Sequence, residues 1–149
     1  MGAVAEQVGS LVSVVYVSSG VRHFQPEEIL EILRTSRRNN EKRNITGMLL
    51  YKDGNFLQVL EGPEQAITQL LQTIETDPRH RGMIQLTKKP IEERQFANWS
   101  MAFKDLDRLS AEDAAAYSPF LKESLLDKEF RSKPDRCYQL LLRFKQSVR

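Results

Sequence analysis

The side chains able to do chemistry in this chain are scattered, and few of them suit catalysis. Tyr16 carries a phenol inside one apolar run, and Gln58 carries a primary amide inside another, Phe56-Leu57-Gln58-Val59-Leu60-Glu61-Gly62. Strands alternate faces, so Gln58 points the same way as Phe56 and Leu60. A primary amide on an apolar face must find hydrogen-bond partners, because leaving it unpaired costs roughly 1–3 kcal/mol. Two readings stay open for Gln58: a structural amide that ties a loop down, or an amide that faces a polar ligand. Tyr16 taken alone reads as a core tyrosine with a satisfied hydroxyl. Ser36, Asn39, Asn40, Arg79, His80, Trp99 and Met101 complete the candidate set. No G-x-x-x-x-G-K, G-x-G-x-x-G, G-x-S-x-G or H-E-x-x-H pattern occurs. His23 and His80 lie far apart and lack metal-ligand spacing, so no metal is expected.

Composition narrows the class. The chain has 149 residues, 40% of them hydrophobic, which suits one domain with an appendage. A net charge of +2 does not point to nucleic acid, and the strand aromatics Tyr16, Tyr51, Phe56, Trp99 and Phe103 follow no base-stacking pattern. No apolar run reaches the ~18 residues of a membrane span. The single cysteine, Cys137, excludes an internal disulfide framework. The expectation is a soluble, cytoplasmic protein with neither nucleic acid nor membrane as partner.

The elements that must position these residues read in order. Leu11 to Ser18 is rich in β-branched residues and predicts a strand, with Tyr16 on the face of Val12 and Val14. Pro26 suits a first helical position, Glu27 and Glu28 its first turn, and Arg37 and Arg38 its last. Ile29, Leu30, Ile32, Leu33 and Ser36 give helical spacing. Asn40, seven residues after Leu33, falls on nearly the same face, although Asn39 and Asn40 also suit a C-cap. Ile45 to Lys52 predicts a second strand, joined by the hairpin signal Asp53-Gly54 to the Gln58 strand. Gly62-Pro63 opens a second helix with Ile67, Leu70, Leu71 and Ile74 as its stripe, ending near Asp77-Pro78. Arg79 to Gly82 reads as a loop, Met83 to Lys88 and Trp99 to Lys104 as strands, and Pro90 to Asn98 as irregular.

The order βαββαββ predicts an α+β, ferredoxin-like sandwich: a five-stranded mixed sheet with two helices on one face, plus C-terminal helices. The expected divisions are 1–10, an N-terminal extension; 11–106, the domain; and 107–149, a helical extension for capping, oligomerisation or output. In this topology the first and third strands are central neighbours, so Tyr16 and Gln58 can sit side by side facing the helices. A phenol, a glutamine and an asparagine around one slot suit a planar ligand with carbonyl and ring-nitrogen acceptors.

The segments VVYVSS around Tyr16, SRRNN ending at Asn40, ITGMLLY, FLQVLEGP around Gln58, DPRHR and NWSM resemble, in order and spacing, those of a BLUF domain, the flavin-using blue-light sensor. The resemblance implies a flavin between the two helices: FAD first, with FMN and riboflavin as alternatives. It implies contacts from Tyr16, Ser36, Asn39, Asn40, Gln58, Arg79 and His80, with Trp99 and Met101 beside Gln58 on the last strand. Tyr16, Gln58, Trp99 and Met101 would be the photoactive group. Thr73 stands where some relatives carry a larger basic or polar residue, which leaves the contacts to the flavin tail open. The implied mechanism is a light-driven hydrogen-bond switch, with Tyr16 as electron donor and Gln58 rotated or tautomerised afterwards. The implied protein is a non-enzymatic photoreceptor that signals to a protein partner, within a homo-oligomer. The alternative is a flavin-less, ferredoxin-like interaction module on the same scaffold; a small flavin enzyme lacks a visible acid–base pair.

Overall fold

The computed structural model describes residues 11–97, 100–108, 138, 139, 141 and 142. Residues 1–10 and most of 107–149 lie outside them, and so does Trp99. Within this range the chain forms β1 (Leu11–Gly20), α1 (Pro26–Arg43), β2 (Thr46–Lys52), β3 (Asn55–Pro63), α2 (Glu64–Thr76), β4 (His80–Pro90), β5 (Ala102–Asp105) and a short 3₁₀ turn (Leu106–Arg108). The sheet order is β4-β1-β3-β2-β5. Three antiparallel pairings and one parallel pairing, β2 with β5, make the mixed five-stranded sheet that the element order predicts.

Alternation along the strands divides the core. Val14, Tyr16, Leu49, Phe56 and Leu60 face α1 and α2, where they meet Ile29, Ile32, Leu33, Ile67 and Leu70. Val15, Val17, Met48, Leu50, Leu57 and Val59 face the other way, and Phe96, Leu106 and Leu141 cover them. A sheet apolar on both faces must be covered on both, so Leu141 is fully buried.

Four local readings change. Helix α1 runs to Arg43 and is capped by Asn44 in the left-handed conformation, φ 58°. Asn39 and Asn40 therefore lie inside the helix, not at its end. Its start is as expected: Glu28 Oε1 accepts the N–H of Gln25 at 3.0 Å. Leu30, one of the residues with helical spacing, is 53% exposed, because the buried stripe is narrower than that spacing suggests. Strand β4 begins at His80, since the turn-like Arg-His-Arg-Gly stretch pairs with the far end of β1, Gly20 opposite His80. Strand β5 begins only at Ala102, so Met101 sits just before it.

Two glycines matter to this frame. Asp53 and Gly54 both adopt positive φ, 52° and 80°, as a tight hairpin turn requires. Gly47 in β2 lies where a Cβ would come within 2.0 Å of the Val59 carbonyl oxygen, so β2 and β3 approach too closely for any side chain. Gly47→Ala should lower unfolding free energy by about 3 kcal/mol. In urea titrations the midpoint should fall at unchanged slope. An unchanged midpoint would show that the two strands separate there without cost.

Candidate functional site

Strands β1 and β3 set Tyr16 directly opposite Gln58. Directly opposed residues bring their Cβ atoms to about 5 Å, close enough for a phenol and an amide to meet. They do: Tyr16 Oη donates to Gln58 Oε1, and both residues are buried. The other end of the amide, Nε2, points at Met101 Sδ at 3.2 Å. Gln58 is thus satisfied by one strong partner and one weak one, because a thioether is a poor acceptor.

A cleft of about 140 Å³ opens beside this pair. Apolar cavities of ~150 Å³ admit a benzene-sized ring. Tyr16, Leu49, Phe56 and Gln58 come from the sheet, Ile32, Thr35, Ser36 and Asn39 from α1, and Leu70, Thr73 and Ile74 from α2. Asp77 and Arg79, from the turn after α2, complete it. Apolar side chains from the sheet and both helices, Ile32, Leu49, Phe56, Leu70 and Ile74, with polar side chains among them, suit a planar aromatic ligand that carries polar groups.

Five of the residues singled out from the sequence line this cleft: Tyr16, Ser36, Asn39, Gln58 and Arg79. Met101 joins it through Gln58. Asn40 is buried as its helical position predicts, but it lines an adjacent recess with Asn44, Thr46, Ala97 and Ser100. Its Nδ2 donates to the Ser100 carbonyl at 2.8 Å. Its Oδ1 is buried with no hydrogen-bond partner in the structure, an acceptor left for a donor to reach. His80 is placed in β4 by its backbone.

Two residues were not singled out for the site. Asp77 binds Arg79 in a fork: its carboxylate takes the guanidinium Nε at 3.0 Å and Nη2 at 2.6 Å. The spacing Asp-Pro-Arg is the signal, since the proline bends the chain back within reach. Arg37 donates Nε to the Met101 carbonyl at 2.9 Å. Its place three residues before Asn40 on α1 is the only hint the sequence carries.

Electrostatics keep the phenol neutral. Burial pushes the Tyr16 hydroxyl well above the ordinary 10.0, and the nearby Asp77 carboxylate raises it further. Tyr16 is therefore a proton donor at any physiological pH.

The family described as sensors of blue light using FAD, BLUF, matches residues 11–102. The chain belongs to the BLUF family. A photoactivated adenylate cyclase subunit beta of Euglena longa is 35% identical over 126 residues, which cover 83% of this chain and 14% of that protein. The blue light- and temperature-regulated antirepressor of Escherichia coli is 32% identical and is matched over 26% of its length. The chain thus spans a small part of these relatives. The BLUF protein BlrB, solved in its dark state, superposes with a TM-score of 0.69 at 33% identity, covering 88% of this chain and 96% of that one. The β1–β3 pair, the two covering helices and the Tyr16–Gln58 bond are therefore features of a flavin-binding blue-light sensor domain. No helix among the described residues is long and apolar enough to cross a membrane.

The raised Tyr16 pKa sets a pH dependence. The native state holds this proton more tightly than the unfolded chain, so the contribution is present in full below pH 10. It is lost as pH rises from there towards the native value. Above pH 10, wild-type unfolding free energy should fall more steeply than that of Tyr16→Phe, by up to ~1.4 kcal/mol per pH unit. Denaturant titrations of both proteins across that range give the comparison. Parallel slopes would mean that the native phenol ionises as easily as a free one.

Proposed function

We propose that this BLUF chain holds a flavin in the cleft between α1 and α2 and signals blue light through the hydrogen bonds of Gln58, without catalytic turnover. The observation that carries the reading is the buried bond from Tyr16 to Gln58 Oε1, with Gln58 Nε2 left to a thioether. FAD is the flavin named in the family description, and FMN and riboflavin offer the same ring. Tyr16, Ser36, Asn39, Asn40, Gln58, Arg79 and His80 are the residues proposed to hold it, with Trp99 and Met101 beside Gln58.

A bound flavin supplies blue-light absorption and an excited state that accepts an electron. The protein supplies the rest. Tyr16 offers an oxidisable phenol whose O–H already points at Gln58 Oε1. Gln58 has a donor end and an acceptor end, so exchanging them inverts the local pattern without moving the backbone. A weak acceptor at Met101 stabilises the present orientation little, which leaves the opposite one accessible. The buried setting keeps water from competing for either end. Met101 immediately precedes β5, and Ala102, the next residue, packs on the opposite face in the cluster that includes Leu141. A change at Gln58 therefore has a short route through β5 to the far side of the sheet. The relatives' roles, an adenylate cyclase subunit and an antirepressor, favour output through attached or bound proteins. A downstream protein partner, a homo-oligomer and a cytoplasmic setting belong to this proposal.

Absorption spectroscopy tests it. Protein reconstituted with FAD should show flavin bands that shift reversibly to the red under blue light without bleaching. Gln58→Leu and Tyr16→Phe should load flavin yet lose the shift. Protein that stays colourless after reconstitution would favour the flavin-less module, and stable photoreduction would favour a flavin enzyme. A normal photocycle in either variant would refute the assigned roles.

A further inference from the structure

Met101 faces Gln58 with a thioether on three rotatable bonds, so the side chain does not fix its own position. The backbone must do so, and α1 holds it. Asn40 Nδ2 binds the Ser100 carbonyl at 2.8 Å, and Arg37 Nε binds the Met101 carbonyl at 2.9 Å. Residues three apart on a helix share a face, so the two donors act as a pair on consecutive carbonyls. Arg37 is otherwise solvent-exposed, where an arginine ordinarily points into water. Here it spends a donor on a carbonyl 64 residues further along the chain.

We infer that Arg37 is a positioning residue of the light reaction: its bond to the Met101 carbonyl holds the thioether against Gln58 Nε2 and so tunes the small bias between the two amide orientations. This rests on the photoreceptor reading above. Loss of the bond frees the Ser100–Met101 step to drift from Gln58, and the balance between the two amide orientations changes. Arg37 touches neither Gln58 nor the cleft, so flavin loading should not depend on it.

Two variants separate the bond from the charge. Glutamine places an N–H donor the same number of bonds from Cα as the arginine Nε, whereas methionine places a methyl group there. FAD-reconstituted Arg37→Met and Arg37→Gln should be compared with wild type by dark recovery after a blue pulse and by the Met101 methyl resonance in darkness. Arg37→Met should change the recovery rate by about threefold or more and displace the resonance. Arg37→Gln should stay near wild type in both, and the thermal midpoints of the two variants should agree. A wild-type-like Arg37→Met, or an Arg37→Gln altered as much as Arg37→Met, would overturn the inference. If wild type itself gives no light-induced shift, the photoreceptor reading fails, and the dark methyl resonance still decides whether Arg37 positions Met101.

Discussion

Tyr16 and Gln58 are directly opposed in the β1–β3 ladder, and slipping that register by one residue would send one of them to the other face of the sheet. Much of the fold serves to hold that pairing. Each helix joins two strands that flank a third, so β1 and β3 become central neighbours and both helices lie on the side to which the phenol and amide point. The apolar residues around them, Val14 and Leu60 among them, are fully buried, so a slip would expose a whole row of core side chains. Hydrophobic burial therefore fixes the register, and the register brings the two polar groups together.

Placing a phenol and a primary amide inside this core has a cost that chiefly their mutual bond offsets. That cost makes the pair responsive. In a dry setting an amide is sensitive to which neighbour accepts and which donates, since water cannot substitute for either. Phenol on one side and thioether on the other give Gln58 one firm partner and one weak one. Asp77 adds a fixed negative charge nearby, which disfavours a phenolate at Tyr16, and its own charge is held by the Arg79 fork.

The strands were legible because period-two alternation and the Asp53-Gly54 turn leave few choices. The meeting of Tyr16 with Gln58 followed from topology once two helices and a hairpin were placed. The end of α1 was misleading: Arg37, Arg38, Asn39 and Asn40 carry the composition of a helix terminus, yet one more turn is stabilised by Asn44. Leu30 and the start of β4 were misread for a related reason, since local composition does not reveal which surface a neighbouring strand occupies. The site was legible in its sheet half, where residue spacing fixes direction. The Asp77–Arg79 fork and the reach of Arg37 depend on side-chain conformations that no spacing encodes. Asn40 illustrates the boundary: its inward face was readable, but not that it lines a recess beside the cleft.

Strand β3 does a second task on its opposite face. Three residues after Gln58, Glu61 is fully buried, and its carboxylate accepts the backbone N–H groups of Gln95 and Phe96 at 2.9 and 2.8 Å. Arg94 binds the Glu61 carbonyl at 2.9 Å and the Asn44 carbonyl at 2.6 Å, which ties the same stretch to the end of α1. Burial lowers the Arg94 pKa and the Glu61 charge opposes that shift, so the two charges sustain one another. The chain leaving this clamp reaches Ser100 and Met101, whose carbonyls α1 holds through Asn40 and Arg37. Arg94, Gln95 and Phe96 are thus anchored by the strand that carries Gln58, and Ser100 and Met101 by the helix beside it. A methionine on a free loop could not hold a sulfur beside one amide nitrogen. Anchoring both groups of residues makes that contact reproducible, so that a weak acceptor can act as one arm of a switch.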